Sequence, residues 1–389
     1  MTIIVAYRRT PFGRFLGSLS GLAASDIGAT ALKSALNDAG LDPGEVDICV
    51  AGQVLQAGAG QNPARQTAVS AGIPLHVPAI TLNAVCLSGM EAITYGHRLI
   101  QNGEASIVVC IGQESMSNAP HLLRHSRTGT KYGSAEIVDS LEFDGLTDAF
   151  GHCSMGFSTD SGNLERGWER DAQDRWAALS HQRAANSSEF FEGELAEVEV
   201  KSRKETAVFR EDEGIRSDTT VETLGSLRPA FSSTGTITAG NASQISDGAA
   251  CVVLMNEEAA ESRGIRGLAR IVSHAFVAGP DTQLHSQPSS AIVAALKKIG
   301  RPVSELRAVE INEAFASVVL QSTADLGVDS SIVNRHGGGI ALGHPIGASG
   351  ARIVGTLARE LGVQGKGELG AAGICGGGGQ GSALVIESL

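Results

Sequence analysis

Two periods of hydrophobic and polar positions alternate along the chain. Residues 23–39 are rich in helix formers and carry an apolar stripe, and Gly40 stands where a helix would stop. Residues 46–50 and 106–111 are short apolar runs that predict buried strands. Between them, 89–100 has helical periodicity, with its first turn following Cys86. The first third is therefore β/α with a cysteine at a strand-to-helix junction. From 114 to about 240 the pattern turns polar, charged and glycine-punctuated, with helical stretches around 164–191. That is too long for a simple loop and predicts an inserted subdomain. Residues 249–255 resume a buried strand, and from 270 the opening pattern returns: helix 288–299, strand 308–311, helix 350–361, strands 370–374 and 382–386. The two ends read as diverged copies. Cys86-Leu87-Ser88-Gly89 before one helix matches Ile346-Gly347-Ala348-Ser349-Gly350 before another, and such a duplication brings equivalent strand ends to one central cleft.

Composition narrows the class. A chain of 389 residues exceeds one ordinary core, so about two or three packed units are expected. A hydrophobic fraction of 42%, few aromatics and 49 glycines fit a globular α/β protein with close helix and strand packing. The formal charge of −12 argues against nucleic acid or an anionic membrane as partner, although local arginines can still hold an anionic small molecule. No apolar run reaches the roughly 18 residues of a spanning helix. Residues 1–6 lead into a strand pattern rather than a secretory signal, Pro11 and that strand argue against a transit peptide, and Glu387-Ser388-Leu389 is not a peroxisomal address. Six cysteines without a C-x-x-C pair, in a chain that needs no stapling, predict reduced thiols, no metal site and a cytoplasmic compartment.

The chemistry gathers at a few of these residues. Cys86 precedes a helix, where unpaired amides and the positive end of the dipole lower a thiol pKa. Most free cysteines are small core residues, but Ser88 and Gly89 clear space here. His344 lies between Gly343 and Pro345, followed by Gly347, Ala348, Ser349 and Gly350. A lone histidine is usually structural; this one has the setting of a base that draws a proton from Cys86. Cys375 precedes four glycines at a strand end, and the run formally contains G-x-G-x-x-G. The dinucleotide reading fails on context, because a strand and the chain end follow, leaving no βαβ unit and no acidic residue about 20 positions on. Exposed backbone N–H groups that stabilise an oxyanion fit better, with Cys375 relaying a proton. Asn312 follows a strand, where it is either a helix cap or, facing the cleft, a holder of water against a reacting carbonyl.

Together these segments resemble the thiolase family over essentially the whole chain. Arg9-Thr10-Pro11-Phe12-Gly13, Asn83-x-x-Cys86-x-Ser88-Gly89, Glu114-Ser115-Met116-Ser117, Gly235 through Ser243, Asn312-Glu313-Ala314-Phe315, Gly343-His344-Pro345-Ile346-Gly347 and Cys375-Gly376-Gly377 recur in that order. The resemblance implies a nucleophile at Cys86 acylated by an acyl-CoA, activation by His344, and Cys375 as the acid/base for the α-proton of the second acetyl group. It implies one oxyanion hole from His344 and a water on Asn312, and another from the amides of Cys86 and Gly377. Ser243, Met155, Arg216 and Phe315 fall where the family contacts coenzyme A. The implied fold is α/β: duplicated βαβαβαββ halves in five layers (α-β-α-β-α), with 1–117 and 245–265 as the first half, 118–244 as an inserted loop domain and 266–389 as the second half.

The implied reaction is reversible condensation of two acetyl-CoA to acetoacetyl-CoA and CoA, or thiolysis of a 3-ketoacyl-CoA. No cofactor is bound permanently, and the partners are acetyl-CoA, acetoacetyl-CoA and CoA, with a homodimer or homotetramer expected and 122–139 as contact loop. The 144–150 and 114–121 segments look like short-chain enzymes. Ser154 stands where those enzymes commonly carry His, and Gln113 where many carry a smaller or apolar residue, so a longer or modified acyl preference stays open. A β-ketoacyl synthase would use two histidines, a non-catalytic acyl-CoA or lipid carrier would have lost a catalytic residue, and an NAD-dependent oxidoreductase rests on the glycine run alone.

Overall fold

The structure is a computed structural model and describes residues 1–201 and 206–389. The inner strands of its large sheet are buried on both faces, which is why their sequences read as apolar runs rather than alternations. The period of two still sorts them. In the strand Ile107–Ser115, Ile107, Val109 and Ile111 pack with Ile27, Leu32 and Leu36 of the helix Ala24–Ala39. Val108 and Cys110 point the other way, to Met90 and Ile93 of the helix Ser88–Gln101. The second half repeats this: Ala383 and Val385 of the strand Gln380–Ser388 face Ile292 of the helix Gln287–Lys298, while Leu384 and Ile386 face Val354 and Leu357 of the helix Ser349–Gln364. Two outer helix layers, two sheet faces and one shared central helix layer follow.

Strand order shows the duplication. The first half runs Ala79–Leu82, Ile48–Gly52, Ile107–Ser115, Ser246–Asn256, Thr2–Arg9. The second runs Leu306–Ile311, Leu369–Gly376, Gln380–Ser388, Ala269–Ala278, with a lone parallel bridge from Val309 to Val333 where the first half has its Ala79–Leu82 strand. The halves also join edge to edge: Ile3 and Ile4 pair with Arg270 and Ala269, making one continuous sheet whose tenth strand is Gly13–Arg14, paired with Ser246–Asn256.

The central helices meet backbone to backbone. A Cβ on Gly89 would lie 2.8 Å from the N of Ala351 and the O of Gly347, and one on Gly350 would lie 2.5 Å from the N of Met90. The glycines that mark the repeat are therefore the contact that lets both catalytic loops share one centre.

Two boundaries differ from the sequence reading. The strand expected to end at 111 continues to Ser115, carrying buried Gln113 and Glu114, whose polar groups are all met internally. The helical stretch 164–191 divides into Met155–Arg166, Arg170–Ala185 and Ser188–Glu192, because Gly167 takes a left-handed cap at φ 70°. The helix Pro63–Ser70 and the strand Ala79–Leu82 were not foreseen. Glu313, fully buried, ties the inserted region to the second half: it accepts from Trp176 Nε1 (3.0 Å), Ser180 Oγ (2.7 Å), Asn334 Nδ2 (3.0 Å) and the Ile340 N–H (3.1 Å).

Candidate active site

The turn before the helix Ser88–Gln101 is held by its own polar side chains. Asn83 Oδ1 accepts the Val85 N–H (3.0 Å), Ser88 Oγ accepts the Ala84 N–H (2.9 Å), and the Ser88 hydroxyl donates to the Val85 carbonyl (2.6 Å). These bonds hold Val85 at φ 53°, a left-handed conformation that a β-branched residue rarely adopts. The strained turn presents Cys86 half-buried, with its own N–H and that of Gly377 near enough to the sulfur to favour the thiolate. Gly377 is delivered by the turn that joins the last two strands, where Gly378 and Gly379 take φ 81° and 69°.

The expected lowering of the Cys86 pKa is corrected by the structure. The first-turn amides are already used, Leu87 N–H on the Ala84 carbonyl and Ser88 N–H on the Val85 carbonyl. Burial pushes the Cys86 thiol up to about 12; the two N–H groups oppose it, and the charge of Glu114 adds a smaller upward push. Cys86 rests as a thiol.

His344 is buried, and burial, with the Arg352 charge second, pulls its imidazole down to about 3, so it rests neutral. Its Nδ1 lies 2.6 Å from Ser349 Oγ, which is 3.1 Å from the Pro345 carbonyl. Both contacts are satisfied together when Ser349 donates to the carbonyl and accepts from Nδ1–H. That tautomer leaves Nε2 as the free base. Nε2 is 3.5 Å from Asn312 Nδ2, and the Asn312 side chain is fully buried with its Oδ1 unpartnered. A buried amide oxygen without a donor is suited to hold a water.

Cys375 is buried at the end of the strand Leu369–Gly376, close enough to Cys86 for their charges to interact; burial first and Cys86 second push its thiol upward. It packs with Phe315, Ala314 and Met155, while Cys86 packs with Ile346 and Leu55. The two halves thus bring Cys86, Cys375, Gly377, His344 and Asn312 to one centre.

A cavity of about 570 Å³ opens beside it, lined among others by His344, Ser243, Met155, Phe315, Met116 and Ile346. A second, of about 790 Å³, holds Asn83, Val85 and Gly377; Met155 borders both. Arg216 does not line either: it is exposed, and its N–H donates to His181 Nδ1 (3.2 Å). Ser154 lines the first cavity and caps the helix Met155–Arg166, its hydroxyl accepting the Phe157 N–H (3.2 Å). Sequence reasoning missed Ser349 as the histidine's partner, Phe231, which lies over Gly156 and edge-on to Phe315, and Arg14 at the cavity. Ser349 was legible in the small-residue run after His344; Phe231 carried no local signal. Among the described residues no cluster of three or more His, Cys, Asp or Glu side chains is placed to hold a metal.

Known proteins resemble the chain over its whole length. Residues 2–258 match the family profile of the thiolase N-terminal domain, and 265–388 that of the thiolase C-terminal domain. The chain is 51% identical over 388 residues to a probable acetyl-CoA acetyltransferase of Mycolicibacterium smegmatis, covering 99% of this chain and 100% of the relative. It is 45% identical over 387 residues to the acetyl-CoA acetyltransferase of Pseudomonas aeruginosa, covering 99% and 98%. Among solved structures, human mitochondrial 3-ketoacyl-CoA thiolase superposes with a TM-score of 0.95 at 38% identity, covering 100% of this chain and 99% of that one. The acetyl-CoA acetyltransferase of Bacillus anthracis gives 0.97 at 37% identity, covering 100% and 98%.

Proposed function

We propose that this chain, which belongs to the thiolase family, is an acetyl-CoA C-acetyltransferase that joins two acetyl-CoA into acetoacetyl-CoA and CoA, and runs the reverse thiolysis, through an acetyl group carried on Cys86. The observation that carries the reading is the convergence of two backbone N–H groups on the Cys86 sulfur, beside a neutral base with a free Nε2. In the first half-reaction the Cys86 sulfur attacks the thioester carbonyl as its proton passes to His344 Nε2. The CoA sulfur leaves with that proton, and acetyl-Cys86 remains. Because one thioester replaces another, the step is nearly balanced and reversible. In the second, Cys375 gives up its proton to His344 Nε2 and, as thiolate, takes an α-proton from the next acetyl-CoA; the resulting carbanion attacks acetyl-Cys86, and the expelled Cys86 sulfur recovers a proton from His344.

Each carbonyl needs its own donors when it becomes an oxyanion. The amides of Cys86 and Gly377 serve the acetyl group on the enzyme. His344, through the Nε2–H it carries in this half-reaction, and a water on the unpartnered Asn312 Oδ1 serve the acetyl group of the incoming thioester. Ser243, Met155 and Phe315 line the cavity that would take the pantetheine arm, with Arg14 and the exposed Arg216 available to its phosphates. No bound cofactor is required, since the thioesters supply both the leaving group and the acidic α-carbon. A homodimer or homotetramer in the cytoplasm completes the reading, and among the described residues no helix is long and apolar enough to cross a membrane.

The test is thiolysis of acetoacetyl-CoA by the purified protein with free CoA. Two acetyl-CoA should form per turnover, and Cys86→Ala should abolish it. A Cys86→Ala protein that turns over at the wild-type rate would overturn the reading.

A further inference from the structure

The segment Glu114-Ser115-Met116-Ser117 has no assigned role in the chemistry above, yet its glutamate bonds the loop of His344 directly and the turn of Cys86 through Val54 and Asn83. Glu114 is fully buried, and no salt bridge pairs it among the described residues. Burial raises its carboxyl to about 7, while three backbone amides favour the charged form: Oε2 accepts the N–H groups of Val54 (3.0 Å) and Gly347 (3.0 Å), and Oε1 accepts that of Leu55 (3.1 Å). Gly347 lies three positions after His344, in the loop that sets Ser349 against the imidazole. Val54 leads the other way. Its carbonyl accepts from Asn83 Nδ2 (3.3 Å), and Asn83 Oδ1 holds the Val85 N–H (3.0 Å) in the strained turn that presents Cys86.

We propose that Glu114 is a positioning residue for the acetyl transfer, a buried clamp whose two oxygens fix the turn of the nucleophile and the loop of the base relative to each other. The proposal rests on the reading of Cys86 and His344 as nucleophile and base. A buried carboxylate bonded by several N–H groups holds them more rigidly than neutral acceptors would. The geometry demands that rigidity, because Val85 sits in an unfavourable conformation and relaxes if Asn83 loses its register. A displacement of about 1 Å between reacting groups is enough to cost about 100-fold in rate. The negative charge itself acts in the opposite sense, holding the Cys86 proton on, but it is the smallest of the influences on that thiol. Removing the charge while keeping the shape therefore slows Cys86 if the clamp matters, and slightly speeds it if only the charge does.

Two variants separate these outcomes. Glu114→Gln keeps the shape but turns an N–H donor toward one of the three backbone N–H groups. Asn83→Ala, at an exposed position that folding tolerates, cuts the same chain at its other end. Two rates are read in each full-length protein by peptide mass: alkylation of Cys86 by iodoacetamide, and acetylation of Cys86 by acetyl-CoA. The clamp predicts that each variant slows both by roughly tenfold or more, with the KM for acetyl-CoA within about twofold of wild type. It further predicts that the double variant is little slower than the slower single one, since both cut one connection. Wild-type alkylation rates in Asn83→Ala, faster alkylation in Glu114→Gln, or fully multiplicative losses in the double variant would each overturn it. A wild-type protein that alkylates on Cys86 but takes no acetyl group would instead overturn the proposed function, and the alkylation rates would still decide the clamp.

Discussion

Cys86 stands half-buried with two N–H groups on its sulfur, whereas Cys375 is closed in at a strand end with only its own N–H to help its thiolate. Under the proposed function, those settings suit the first as acyl carrier and the second as proton carrier. Cys375→Ser should therefore still accept an acetyl group on Cys86, while condensation and thiolysis fall by roughly 100- to 10,000-fold, the range for losing a general acid or base. A stopped assay of CoA release against acetoacetyl-CoA formation reads the split, and equal losses in both steps would contradict it. At this scale Cys86, His344, Cys375 and Asn312 were legible because each is a reactive type flanked by small residues or placed after a strand. The resting protonation of Cys86 was not, because a helix start in the sequence does not reveal that its amides are already bonded to Ala84 and Val85. Glu313 and Ser349 were visible as letters in motifs, but their partners come from distant parts of the chain.

The helices Ser88–Gln101 and Ser349–Gln364 carry the site because they touch through backbone. Gly350→Ala puts a methyl carbon 2.5 Å from the Met90 nitrogen, a clash that no side-chain rotation relieves. It should destabilise the protein by roughly 1–3 kcal/mol, read as a lower urea midpoint. Gly362→Ala, on the exposed end of the same helix with nothing within 4 Å, is the control and should gain roughly 0.5–1 kcal/mol. If Gly350→Ala were as harmless as Gly362→Ala, the crossing would not be the contact described. Element types were readable wherever an apolar run or a helical stripe was long. The strand Ala79–Leu82 was missed because it is four half-buried residues at a sheet edge, too short for either period to show. The strand Ile107–Ser115 was read short because its last residues are polar, and only tertiary partners keep Gln113 and Glu114 inside.

The duplication was visible in the recurring order of strands and helices and in the matched glycines, and the candidate site residues gather where the halves meet. The edge joining them into one sheet was not, since it rests on two residue pairs, Ile3 with Arg270 and Ile4 with Ala269, that leave no pattern in composition or period. Two halves related in this way give the molecule two thiols at one centre but only one strained turn with N–H groups aimed at its sulfur. The account's central claim is that this asymmetry places the covalent intermediate on Cys86 alone. Incubation of the intact protein with acetyl-CoA, rapid quenching in acid, digestion and peptide mass analysis tests it most directly. A single acetyl group on the Cys86 peptide, with Cys375 and the other cysteines unmodified, is the predicted result. An acetyl group on Cys375, or none on a Cys86 shown by alkylation to be reduced and accessible, would contradict it.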